Sequence, residues 1–68
     1  MTNYRIVSEG TVLATFQIAE ISTVSIASCV MSTLSLPTGT SLNVRPDAGG
    51  VFHAQYGYTI LLVEPVPG

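Results

Sequence analysis

The chain carries one cysteine, one histidine and four carboxylates. A hydrolytic triad needs a nucleophile, a base and an orienting group that converge. Here Cys29 and His53 each occur once, and Glu9, Glu20, Asp47 and Glu64 are scattered among turns and strand ends. Cys29 lies in a run of small and apolar residues and reads as a buried small hydrophobe. His53 alternates with Val51 and Gln55 on one strand face and reads as a surface or interface residue; only a symmetric trimer would gather three copies around a metal. A single cysteine forms no internal disulfide, and one cysteine with one histidine cannot close a four-ligand zinc site. The expectation is therefore a non-enzyme, with no cofactor and no metal.

The remaining candidates are contact residues. Gly49-Gly50 lacks the spacing of a phosphate-binding loop and reads as a tight turn. Arg45 and Asp47 flank Pro46, which leaves two readings: a local ion pair that stiffens the turn, or an arginine reaching across a subunit boundary in bidentate fashion. Phe52, Tyr56 and Tyr58 suit packing in a core or subunit interface, with a sugar- or protein-binding patch as the alternative. With Tyr4 and Ile6 from the N-terminal segment, the expected interface set is Tyr4, Ile6, Arg45, Phe52, His53, Tyr56 and Tyr58.

The elements that must position these residues follow a period of two. Val, Ile and Thr make up 21 of the 68 residues, and β-branched side chains favour a pleated sheet. Residues 3–18 read as a β-hairpin turning at Ser8-Glu9-Gly10-Thr11. From Val24 a long alternation sets Val24, Ile26, Val30, Leu34 and Leu36 on one face with Ser28 and Ser32. The small and hydroxyl-bearing residues of 22–35 form the other face, either solvated or a contact surface. Its length predicts two strands, or one bent strand, since strands average about 5–6 residues. Pro37–Thr40 predicts a turn, Leu42 and Val44 a short strand, and Pro46–Gly50 a strong break. Phe52, Ala54 and Tyr56 mark another strand, with Gly57 interrupting as a bulge. The apolar run Tyr58–Val63 predicts a strand covered on both faces. Residues 65–68 read as an extended tail. The whole predicts one all-β domain over residues 1–68, a small antiparallel sandwich or barrel of five to seven short strands.

Composition then limits what such a domain can do. Apolar residues are 47% of the chain and charged residues 9%, the opposite of a disordered segment. Two arginines, no lysine and a net charge of −2 remove the electrostatic basis for nucleic-acid binding. The N-terminus lacks the pattern of a signal peptide. The 24 uncharged residues between Glu20 and Arg45 carry ten hydroxyl side chains and alternate, so a membrane helix is not expected.

Chains below ~70–80 residues rarely gain more than ~3–5 kcal/mol from one core without a disulfide, a metal or oligomerisation. With no lysine to guard its strand edges and a mean hydropathy of +0.53, the chain is expected to be an obligate oligomer whose neighbours bury much of its surface. The N-terminal segment Tyr4–Val7, or the proline-rich tail, is the expected reaching arm.

The run Ser32–Val44, a leucine-bearing strand, a glycine turn and a short strand, followed by the aliphatic Tyr58–Val63, resembles the C-terminal half of C1q/TNF-like trimeric jelly rolls over about residues 23–64. The small, charge-poor, all-β character resembles short phage capsid decoration (cement) proteins. Those resemblances imply a structural virion protein, made in the host cytoplasm and located on the capsid surface. It would act as a symmetric, trimeric homo-oligomer bound to a major capsid or other virion protein. The alternative is a trimeric fibre-tip module binding a receptor or glycan through loops near Asp47–Phe52. Because the strands start almost at Met1, a free-standing subunit is preferred over a tip. No catalytic residue carries over from either resemblance.

Overall fold

A computed structural model of the chain describes residues 1–67. Five strands, β1 (Thr2–Ser8), β2 (Thr11–Ile18), β3 (Asn43–Pro46), β4 (Phe52–Tyr56) and β5 (Thr59–Pro65), form one antiparallel sheet in the order β2-β1-β5-β4-β3. The sheet is open: it neither closes into a barrel nor packs on a second sheet. Its second layer is a single helix, α1 (Thr23–Thr33), which packs across one face against β2, β3 and β4.

The hairpin turns follow local chemistry. Glu9 (φ 49°) and Gly10 (φ 79°) join the paired residues Ser8 and Thr11, and positive φ at both central residues suits the right-handed twist of the strands. Leu13 is the extra residue of a bulge, because Ile6 opposes Ala14 while Val7 opposes Val12. Gly57 (φ 57°) is not a bulge within a strand; it opens the two-residue turn between the paired Tyr56 and Thr59.

The expected strand over Val24–Leu36 is the main correction: residues 23–33 are helical, and residues 34–42 connect the helix to β3. The leucine-bearing strand on which the jelly-roll likeness leaned is therefore absent. Both periods fit the same apolar residues, and the serines decide between them. Ser28 and Ser32 share the parity of Ile26 and Val30, so a half-buried strand would carry both hydroxyls into the core. A helix instead brings Ile26, Cys29, Val30 and Leu34 to one side. Ile26 and Val30 are fully buried and Val24 is 80% exposed, while Ser28 and Ser32 face solvent. Thr, Val and Ile are weak helix formers, so burial of this stripe, not propensity, holds the helix.

Capping supplies both ends. Ser22 lies in the extended region, and its Oγ accepts the Ser25 N–H at 3.1 Å, which satisfies one orphan donor. At the other end the Leu36 N–H donates to the Met31 carbonyl at 3.0 Å and the Ser35 N–H to the Ser32 carbonyl at 3.3 Å, the Schellman pattern. That motif puts Ser35 at φ 54°, where a Cβ is strained and glycine is not. Ser35→Gly is expected to raise stability by about 1 kcal/mol, read as a higher urea midpoint at unchanged slope.

The core lies between helix and sheet. Tyr4, Ile6 and Ile18 meet Phe52, Ala54, Leu61 and Val63 beneath Ile26 and Val30. Tyr4 stacks on its cross-strand partner Phe16 (centroids 5.8 Å) and meets Phe52 edge-on at 6.2 Å. The expected reaching arm Tyr4–Val7 is instead an inner strand, paired on one side with β2 and on the other with β5. The tail expected over 65–68 is partly strand: β5 runs through Pro65, and the Val66 N–H donates to the Asn3 carbonyl at 2.8 Å. Gly68 lies outside the described residues. No helix among the described residues is long and apolar enough to cross a membrane.

Candidate functional surface

A sheet with one helix on one face leaves the other face bare, and alternation decides what stands there. On β5, the central strand, Leu61 and Val63 point to the core while Ile60 (61% exposed) and the half-buried Leu62 point away. Val7 opposes Leu62 from β1 and adds to the strip. The Tyr58–Val63 run was expected to be covered on both faces; the structure covers one. Tyr58 stands fully exposed at the turn beside Ile60. Together with Val7, Ser8, Glu9 and Thr59 these residues line an open depression of about 540 Å³.

Polar rungs flank this strip. On one side Arg5 Nε donates to Glu64 Oε1 at 2.6 Å across a cross-strand pair; both side chains are partly exposed, so solvent limits what the pair contributes. On the other side Arg45 opposes His53 and Asn43 opposes Gln55, and these four residues share a recess with Ile60.

The corner after β3 is built around Asp47. Its N–H donates to the Val51 carbonyl at 2.7 Å, and its Oδ1 accepts the Ala48 N–H at 2.7 Å. His53 Nε2–H donates to Oδ2 at 2.8 Å. Gly49 (φ 83°) and Gly50 (φ 81°) let the chain turn back into β4. This is the tight turn expected at Gly49-Gly50. The expected local ion pair differs: Asp47 is tied to His53, and the Arg45 guanidinium acts on it only through space. The hydrogen bond from His53 is the largest influence holding the Asp47 carboxyl below the usual 3.8, followed by the Ala48 N–H.

A carboxyl with a lowered native pKa adds stability above its unfolded value and loses it as pH falls through the native one. The contribution of this corner is therefore present above about pH 4 and disappears below the native Asp47 pKa. His53→Ala is expected to move the Asp47 carboxyl transition upward in carbon-detected NMR. An unmoved transition would show that the 2.8 Å contact does not persist in solution.

The expected interface residues separate into two groups. Tyr4, Ile6 and Phe52 are core residues at 3%, 0% and 6% exposure, and Tyr56 is half-buried and packs against that core. Arg45, His53 and Tyr58 are accessible, and the first two meet across β3 and β4. Cys29 packs against the core on the helix side, while His53 stands on the bare face, so the sheet separates them. Val7, Leu13, Ile60 and Leu62 were not singled out from sequence. For Val7, Ile60 and Leu62 the signal lay in the parity of β1 and β5, which marks them as the complement of a one-sided core. Leu13 is the bulge residue of β2, which parity does not mark. No family model matches the chain, no curated protein matches it, and no solved structure matches it.

Proposed function

We propose that this chain is a structural virion protein, a capsid decoration (cement) subunit that works as a symmetric assembly and lays its bare sheet face on a major capsid or other virion protein. One observation carries the reading: β5 is apolar on both faces and covered on only one, at the centre of the sheet. Covering about 200 Å² of that strip would contribute roughly 5 kcal/mol gross at ~25 cal/mol per Å². That is comparable to what a core of this size supplies to folding. The Arg5–Glu64 pair and the Arg45, His53, Asn43 and Gln55 rungs form the polar rim that a specific interface carries around an apolar centre.

The test is sedimentation of the tagged chain produced alongside the products of its neighbouring genes. Migration with a megadalton particle, lost in Ile60→Glu, is expected. Migration only as free protein overturns the reading. A second reading, glycan binding, is favoured by Tyr58, fully exposed beside the open depression, since aromatic rings stack on sugar faces. Saturable binding to a glycan array, lost in Tyr58→Ala, would support it in place of the first.

A further inference from the structure

The two edges of the sheet are unlike. The β3 edge is four residues long and carries Arg45 and Pro46, two features that block strand addition. The β2 edge is eight residues, TVLATFQI, without a charge or a proline; the bulge at Leu13 leaves Ala14–Ile18 as its regular stretch. Its only sheet partner is β1, and among the described residues no turn, loop or cap hydrogen bond involves residues 11–18. Val12 and Leu13 are half exposed along it.

We infer that β2 pairs antiparallel with β2 of a second copy of this chain, joining two five-stranded sheets into one of ten strands. The occupant follows from symmetry and charge. A two-fold axis sets like residues against like, so a self-pairing strand must carry no charge. β2 satisfies this, whereas β3 against β3 would bring two Arg45 guanidiniums together and lose a donor at each Pro46. Pairing β2 with β3 would be heterologous, giving a ring or a fibre, and would set β2 against the edge that Arg45 and Pro46 guard.

Parity then fixes the geometry. Opposed residues of an antiparallel pair share a face. Ala14, Phe16 and Ile18 face the helix, and Thr15 and Gln17 face away. Past the bulge at Leu13, each residue of Ala14–Ile18 therefore meets one of its own parity, with Thr15 and Gln17 on the bare side of the pair. The axis stands perpendicular to the sheet, both helices lie on one side, and the two bare faces become one continuous surface. This deepens the proposed role by making the contacting face twice as wide, and it rests on that reading only for what the face touches.

The experiment is mass measurement by light scattering on the purified chain at micromolar concentration. Twice the 7.1 kDa of one chain is expected, falling to a single chain in Thr15→Lys and in Gln17→Lys with strand circular dichroism retained. Asn43→Lys on the opposite edge should leave the dimer intact. A monomeric wild type, a three-chain mass, or a dimer that survives both lysines overturns the pairing. Should the lysine variants lose their fold, wild-type amide exchange decides: protection of β2 amides must fall on dilution, and concentration-independent exchange overturns it. A dimer that never migrates with a particle would remove the capsid reading and leave the pairing; a trimer that does so would do the reverse.

Discussion

Truncation of Ile26 to alanine is expected to cost about 2–5 kcal/mol, while the same change at Val24 shifts stability by no more than about 0.5 kcal/mol. Ile26 is fully buried and Val24 is 80% exposed, although only one residue separates them. In a strand both would lie on the same face and respond alike; in α1 they lie on nearly opposite sides. A domain of this size has about 3–5 kcal/mol available, so Ile26→Ala should leave much of the chain unfolded at room temperature. Urea titration followed by circular dichroism measures both variants. Equal losses at the two positions would refute the helix.

Enlarging Ala54 to leucine should be nearly as damaging, at about 1–3 kcal/mol. Ala54 is fully buried, opposes Leu61 on β5 and Val44 on β3, and belongs to one of the three strands that α1 packs against. Three extra carbons would force the helix off the sheet or drive neighbours from their rotamers, since protein interiors are close-packed. The control is Gln55→Leu, one residue along on the bare face, where the side chain is exposed and the added carbons displace no packed neighbour. Its urea midpoint should barely move. A tolerated Ala54→Leu would mean that the layer between helix and sheet holds unfilled space.

How much of this was readable depended on whether a residue pattern had one geometric solution. Glu9-Gly10 between alternating segments permits little but a two-residue hairpin, and Gly49-Gly50 after a proline permits little but a turn. Residues 23–33 had two solutions. Their β-branched content favoured a strand and their serine spacing a helix, and the deciding signal (Ser28 and Ser32 on an otherwise apolar parity) was outweighed by propensity. The contact residues fared unevenly for a related reason. Tyr4, Ile6 and Phe52 are large and apolar, as an interface and a core both require, and type alone does not say which. Asp47 and His53 lie six residues apart with a turn between them, so their hydrogen bond needs the register of β3 against β4.

The amino-acid order by itself determined that this chain is charge-poor, rich in β structure and punctuated by glycine and proline. Those properties are local or additive, and each follows from single residues or near neighbours. Only the tertiary structure decided that the second layer is a helix, that the central strand is left bare on one side, and that the uncharged strand lies at an edge. Each of these depends on which distant segments pair. A period of two specifies that a strand has two faces, but the number of layers stacked on them is set by how the whole chain shares out its apolar surface.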